Sequence, residues 1–158
     1  MDDCSKQLDK SALDTVAYAK AELCHIGQIV GIERVCFPDP WSEKSFVEEL
    51  HNSRAHYFVA LFGQRVVGYC GYWEIVGEGH ISNVAVHPDY RGMGIGASLI
   101  GRLIDHATRN GVGSFTLEVR EDNGLAIKLY EKLGFRSVGM RKNYYREEGK
   151  HALIMWKR

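Results

Sequence analysis

The sequence has no surplus of either charge, since 20 Lys plus Arg balance 20 Asp plus Glu. That balance excludes the long-range field by which a protein is drawn to nucleic acid or an anionic membrane, so any polar partner has to be recognised locally. No stretch approaches the ~20 consecutive apolar residues of a membrane-spanning helix. Met1 to Asp14 mixes acids and bases without an apolar core, and a soluble, cytoplasmic protein is expected. Cysteine is sparse: Cys4, Cys24, Cys36 and Cys70 lack CxxC spacing and read as reduced, mostly buried thiols. The seven histidines, His25, His51, His56, His80, His87, His106 and His151, form neither an H-x-x-x-H pair nor a Cys/His cluster with ligand spacing, so no metal site is expected. Internal repeats, Pro-rich linkers and low-complexity tracts are also missing. A single domain over residues 1–158, with 1–14 as a loose tail, follows, and that length can bury a core without disulfide or metal staples.

What is present is an alternation of short strands and amphipathic helices. The pattern predicts a strand at 16–20, then a helix with Leu23, Ile26, Ile29, Val30 and Val35 on one side. Phe37-Pro38-Asp39-Pro40 stops it, because two prolines forbid helix. Ser42 is a candidate N-cap for a second helix carrying Phe46, Val47 and Leu50. Strands are predicted near 56–62, 65–74 and 78–86, the first two joined by a hairpin turn at Gly63-Gln64. A helix with Leu99, Ile100, Leu103 and Ile104 inside follows. Ser114 to Arg120 is the next strand, with Phe115, Leu117 and Val119 on one face and Thr116, Glu118 and Arg120 on the other. A fourth helix starts near Asp122-Asn123, carries Leu125, Leu129 and Leu133, and closes at Gly134 as a left-handed C-cap. Two strands, 135–145 and 151–157, end the chain. The strand–helix–strand unit from 78 to 119 has to be a right-handed parallel crossover between antiparallel hairpins, so the sheet is mixed.

The chemistry starts at the turn after the 78–86 strand. Arg91-x-x-Gly94-x-Gly96 puts residues without Cβ where a strand becomes a helix, and amides from about Gly92 to Ala97 can converge on one external anion at the positive end of the helix. A pyrophosphate fits that description. The spacing is not G-x-G-x-x-G, no series of parallel βαβ units surrounds it, and no Lys-Ser or Lys-Thr follows, which argues against a Rossmann site and a P-loop. A plain tight turn is the remaining alternative.

The run Asn83-Val84-Ala85-Val86-His87-Pro88-Asp89-Tyr90-Arg91-Gly92-Met93-Gly94-Ile95-Gly96 resembles the acetyl-CoA motif of the GNAT superfamily, Q/R-x-x-G-x-G/A. Asn123-x-x-Ala126-x-x-Leu129-Tyr130-Glu131-x-Leu133-Gly134-Phe135 resembles its second signature, and together the two span most of 55–158. The resemblance implies an α+β GNAT fold: one domain, a mixed, mostly antiparallel sheet with strands four and five parallel and splayed, and helices on both faces. It implies acetyl-CoA as donor, held by Val84, Ala85, Val86, Arg91, Gly92, Met93, Gly94, Ile95, Gly96, Ala97 and Asn123. Val84 to Val86 would pair with the pantetheine arm like an added strand, and the Val84 amide would polarise the acetyl carbonyl. Asn123 reads equally as an N-cap.

Acetyl transfer needs a neutral amine and something to receive a thiolate. Glu118, in Leu117-Glu118-Val119-Arg120, is the candidate base; its other reading is a solvated carboxylate paired with Arg120. That tetrapeptide resembles the RimI-type ribosomal-protein-alanine N-acetyltransferases, which implies the catalytic role. Tyr130 would be the acid, or else a core aromatic; since a phenol of pKa ~10 is a weaker acid than a thiol of ~8.5, a strong hydrogen bond to sulfur is the least expected of it. Two further segments resemble RimI enzymes and their eukaryotic relatives: Phe37-Pro38-Asp39-Pro40-Trp41-Ser42 and Arg141-Lys142-Asn143-Tyr144-Tyr145. They imply an acceptor wall made of Phe37, Pro38, Trp41, Tyr144 and Tyr145. His80, which precedes Ile81-Ser82-Asn83 on the cofactor strand, reads either as a water-ordering group lining the cleft or as a surface strand histidine. Phe37 and Trp41 read equally as a hydrophobic staple, and alternation lets only one of the two tyrosines face the cleft unless a bulge intervenes. The implied acceptor is the N-terminal α-amine of a protein, a ribosomal protein beginning with Ala. The alternatives are lysine side chains or a small-molecule amine, and a non-catalytic acyl-CoA-binding module that regulates a partner.

Overall fold

Seven strands form one sheet in the order β1-β2-β3-β4-β5-β7-β6. They are β1 (Val16–Lys20), β2 (Ala55–Phe62), β3 (Arg65–Ile75), β4 (Glu78–Val86), β5 (Ser114–Arg120), β6 (Arg136–Tyr145) and β7 (Lys150–Lys157). Four helices accompany them: α1 (Ile26–Cys36), α2 (Glu43–His51), α3 (Ile95–Arg109) and α4 (Gly124–Lys132). This computed structural model describes residues 16–145 and 150–158, without the side chains at 143–145. The tail expected at 1–14 lies outside the described residues.

Every neighbouring pair in the sheet is antiparallel except β4 and β5, which run parallel as the crossover through α3 requires. Their pairing is short. It runs from Glu78↔Ser114 to Ile81↔Leu117 and stops there, although β4 continues to Val86 and β5 to Arg120. A register shift between Gly71 and Tyr72 makes Ser82 the extra residue on β4, so the strand bulges where it leaves its parallel neighbour.

Two cores fill the two faces. α1 and α2 cover β2 and β3 through Ile29, Val30, Phe46, Tyr57, Val59 and Tyr69. On the opposite face α3 and α4 meet the sheet through Leu99, Ile100, Leu103, Phe115, Leu117, Tyr130 and Met155. Helices therefore lie on both faces, as expected.

Ile26, Ile29 and Val30, and in the later helix Leu129 and Leu133, face the core as predicted, but three residues of those stripes do not. Leu23 is 58% exposed and Val35 60% exposed. Leu23 belongs to a 3₁₀ turn ahead of α1, whose tighter winding is out of phase with the α-helix, and Val35 lies opposite the stripe of Ile26, Ile29 and Val30. In α4, Leu125 is 87% exposed, because the face turned to the core is centred on buried Tyr130, with half-buried Ala126 and Leu129 and the C-cap Leu133 beside it, at i, i+3, i+4, i+7 from Ala126. Thr116, placed on the polar face of β5, is buried and donates to the Met155 carbonyl at 3.0 Å. Gly134 has φ 97° and ends α4 as predicted.

Beside β1 and α3 the sheet carries a histidine cluster. His56 stacks on Tyr72 with centroids 4.9 Å apart, and His106 Nδ1 lies 3.1 Å from the Tyr72 hydroxyl. Burial, then the charge of Lys20, lowers the pKa of both imidazoles; Glu74 opposes this at His56, and Arg109 adds to it at His106. Burial also pushes the Tyr72 phenol up to about 12. A histidine held neutral by the fold contributes stability that is complete above its unfolded pKa of ~6.5 and is lost as pH falls through the lower folded value. The melting temperature should accordingly drop between about pH 7 and pH 5, and a His56→Gln, His106→Gln double variant should show a shallower drop. Equal slopes in wild type and double variant would refute the assignment.

Candidate active site

Where β4 and β5 part, two edges face each other across a cleft. One is the β4 segment Ser82 to Val86; the other is the end of β5 from Glu118 to Arg120. Glu118 is the first residue of β5 beyond the last parallel pair, and its alternation with buried Leu117 and Val119 turns it to the face that also carries Thr116. His80 is the register partner of Thr116, which brings it to the same face one pair before the strands separate. Its Nε2 lies 3.5 Å from Glu78 Oε2, with the ring 6.5 Å from that of Trp156.

The Glu118 carboxylate is engaged from an unexpected side. Arg141 on β6 reaches across β7 and donates from Nη1 to Glu118 Oε1 at 2.7 Å. Arg120, the partner considered from the sequence, forks onto Asp122 at 3.1 Å through Nε and Nη2. Such an exposed pair adds little to stability, about 0–1 kcal/mol, and its chief effect is to orient the carboxylate.

At the far end of β4 the chain enters the Gly-rich turn. Gly92 and Gly94 have φ of 78° and 81°, the left-handed region that a residue with a Cβ enters at a cost of roughly 1–2 kcal/mol. A Cβ at either position would meet no protein atom within 4 Å, so the turn opens onto free space. Gly94 is the N-cap of α3, no side chain caps the helix, and the first bond back to the turn is Ser98 N–H to the Gly94 carbonyl at 3.0 Å. The amides ahead of Ser98 are thus presented outwards at the positive end of a 15-residue helix, where a pyrophosphate fits. Gly96 lies between Val86 and Leu129, 3.7 and 3.6 Å from where its Cβ would stand, so the turn, the end of β4 and α4 converge at one point.

Val84, Val86, Met93 and Leu129 pack against the core that holds Ile95 and Tyr130. Tyr130 is buried with its ring edge-on to Phe135 at 5.8 Å, so the core-aromatic reading of that residue is satisfied whatever its hydroxyl does. The Asn123 side chain accepts from Ala126 N–H at 3.2 Å and caps α4. The Arg91 side chain turns back on the strand: Nε donates to the Val86 carbonyl at 3.0 Å and Nη2 to Cys36 Sγ at 3.1 Å. Among the described residues no group of three or more His, Cys, Asp or Glu side chains is arranged to hold a metal.

On the acceptor side, Trp41 packs on Phe46 with centroids 5.4 Å apart. These are positions N′ and N4 around the Ser42 cap, whose side chain accepts from Ser45 N–H at 3.1 Å, so the staple reading of Trp41 is realised. Phe37 and Pro38 stand exposed. β6 shifts register between Arg141 and Tyr145, the irregularity that removes strict alternation there, and the side chains of Tyr144 and Tyr145 lie outside the described ones.

Three elements of the site went unnoticed in the sequence. Glu33 on α1 is 2% exposed and receives the Tyr69 hydroxyl and, at 2.8 Å, the Trp41 amide. Glu49 on α2 accepts from Trp73 Nε1 at 2.7 Å and from Tyr57 Oη at 3.1 Å, and Tyr57 in turn lies 3.2 Å from Ser82 Oγ at the bulge. Burial and the Glu49 carboxylate push the Tyr57 phenol well above its ordinary value. Arg141 is the third. Only Glu33 left a trace in the sequence, as a charge on the apolar stripe of Ile26, Ile29 and Val30 at i+7 from Ile26.

Known proteins resemble this chain in sequence and in fold. A family described as the acetyltransferase (GNAT) family matches residues 26–135. An N-alpha-acetyltransferase RimI of Mycobacterium tuberculosis is 40% identical over 121 residues, 74% of this chain and 75% of that protein. A ribosomal protein bS18-alanine N-acetyltransferase of Escherichia coli is 36% identical over 114 residues, covering 72% and 76%. The crystal structure of the Escherichia coli ribosomal-protein-S18-alanine N-acetyltransferase superposes with a TM-score of 0.83 at 33% identity, over 90% of this chain and 92% of that one. A parted parallel pair, a left-handed glycine turn at its end and this degree of likeness across three quarters of the chain have one explanation: the chain belongs to the acetyltransferase (GNAT) family.

Proposed function

We propose that the protein transfers the acetyl group of acetyl-CoA to the N-terminal α-amine of a ribosomal protein beginning with Ala, by direct attack in a ternary complex. The observation that carries this reading is the parting of β4 and β5 after Ile81↔Leu117, with a carboxylate at its mouth and the glycine turn at its end. Likeness to RimI enzymes narrows the acceptor.

The donor supplies an electrophilic thioester carbonyl. Val84 to Val86, the β4 segment beyond the last pair with β5, would hold the pantetheine arm, and amides from Gly92 to Ala97, with the side of the turn set by Arg91, would hold the pyrophosphate. The acceptor would lie against Phe37, Pro38, Trp41 and His80, with Tyr144 and Tyr145 closing the wall. Glu118 takes the proton of the ammonium group, directly or through water, and leaves a neutral amine. As the amine nitrogen bonds to the carbonyl carbon, the Val84 N–H donates to the oxygen that gains charge. The C–S bond then breaks as the nitrogen sheds its second proton: Tyr130 donates its phenolic hydrogen to the departing sulfur and is recharged, through water, by the proton that the nitrogen loses, so that the sulfur leaves as the thiol. The products are an N-acetyl peptide and free coenzyme A.

Proton energetics favour this acceptor. An α-amine of pKa ~8 is about a tenth neutral at pH 7, whereas a lysine of ~10.4 is neutral in less than ~0.1% of molecules, a gap of roughly 3 kcal/mol. One exposed carboxylate suits the easier amine.

Three measurements test the reading. Glu118→Gln should lower turnover by about 10²-fold while acetyl-CoA affinity holds, and Tyr130→Phe should slow single turnovers; a Glu118→Gln rate within about twofold of wild type would make the carboxylate a surface charge. Gly94→Val should keep the fold but lose acetyl-CoA binding by calorimetry, because it strains a left-handed residue and places two methyls in the open space of the turn; unchanged affinity would remove the turn from the binding site. Finally, one peptide is compared with a free N-terminus, with a blocked N-terminus and an internal lysine, and with a free N-terminus lacking lysine. Only the two free forms should be acetylated, and equal rates on the blocked form would identify a lysine acetyltransferase.

A further inference from the structure

The segment between α1 and α2 is short of hydrogen-bond donors. Pro38 and Pro40 have no N–H, so the amides that flank them, Phe37 and Trp41, are the ones by which the segment can be tied down on either side. Both go to one residue. Phe37 N–H donates to the Glu33 backbone carbonyl at 3.0 Å, the ordinary bond that closes α1, and Trp41 N–H donates to the Glu33 side chain, Oε2, at 2.8 Å. The other carboxylate oxygen accepts from the Tyr69 hydroxyl. Tyr69 lies on β3 opposite Ala85 of β4, with Asn83 of β4 also beside its phenol. Glu33 and Tyr69 are both fully buried.

Burying a carboxylate is costly unless its oxygens are satisfied, and the same core positions filled by apolar residues would be as stable or more so. A buried acid with one donor from the loop and one from the sheet does something an apolar residue cannot. It sets the distance between the two. Here the sheet end of the link is the strand paired with Val84, and the loop end carries Phe37, Pro38 and Trp41.

We infer that Glu33 is a positioning residue whose carboxylate ties the Trp41 end of the Phe37–Trp41 segment to β3 and fixes its height over β4, so that it determines how tightly the acceptor, but not the donor, is bound. The inference rests on reading that segment as part of the acceptor wall. Glu33 never meets the reacting atoms and acts through Trp41.

The test uses the full chain and an Ala-initiated peptide. In Glu33→Gln the amide oxygen can still accept from Trp41 N–H while its NH2 donates to the Tyr69 hydroxyl, which turns to accept, so volume is retained but both clasp bonds lose their charge assistance, which roughly halves their strength. The peptide KM should rise about tenfold, the scale of one hydrogen bond to a charged group, with acetyl-CoA affinity by calorimetry and kcat at saturating peptide each within about threefold of wild type. Hydrogen exchange at the Trp41 amide should accelerate, while the amides of the β3–β4 ladder stay protected. If Glu33→Gln does not fold, Tyr69→Phe removes the sheet end of the clasp with a smaller disturbance and should move the same two readouts in the same direction. Unchanged exchange at Trp41 would overturn the clasp itself. Faster exchange with an unchanged peptide KM would overturn the positioning role by showing that the segment is not acceptor wall, and an equal loss of donor and acceptor binding would reduce Glu33 to general packing.

Discussion

The structure depends on one interruption in a hydrogen-bond ladder. β4 and β5 pair in parallel for four residues, Glu78 to Ile81 against Ser114 to Leu117, and then separate although both strands continue. Inside a sheet, backbone groups without partners are expensive, so the gap persists only because what surrounds it holds the strands apart. The Ser82 bulge bends β4 away, and its hydroxyl sits against Tyr57, which the Glu49 carboxylate holds in turn. On the other side, β5 is kept in the sheet by six residue pairs with β7. An opening of this kind offers a guest the two things it lacks in water, an edge to pair with and a wall to lie against.

The two ends of the opening are braced by different chemistry. Beside the glycine turn, Arg91 ties the Val86 carbonyl to Cys36 and thereby joins the start of the turn to the end of α1. Beside the proline segment, Glu33, one turn earlier on the same helix, ties that segment to β3. α1 is thus a common strut for both sides of the cleft. Its exposed face, with Val35 outward, has no part in this.

Glu118 illustrates how a sheet supplies a candidate base and its orienting partner from distant sequence. Strand alternation turns it to the open face, and the antiparallel return of β7 and β6 brings Arg141, 23 residues later, to within 2.7 Å. Tyr130 reaches the same region from α4 on the opposite face, through the core it shares with Val84 and Val86. The two proposed catalytic side chains, Glu118 and Tyr130, therefore approach the parting strands from opposite sides of the sheet.

Much of this was legible in the residue order, for local reasons. Alternation identified the strands, prolines and Ser42 bounded the first two helices, and Gly92, Gly94 and Gly134 marked backbone that only glycine adopts cheaply. These are short-range constraints, written within a few residues of where they act. The family signatures, likewise, are contiguous, and they carried the fold and the parallel crossover with them. What the order of residues did not disclose is everything that requires two segments far apart in the chain to meet: which face of α4 is buried, that Arg141 and not only Arg120 reaches the acidic side chains at the cleft, and that Glu33 clasps Trp41 and Tyr69. A charge on an apolar stripe announces that a partner exists, but its identity is fixed by the packing of α1 on β3, which no local pattern of side chains encodes.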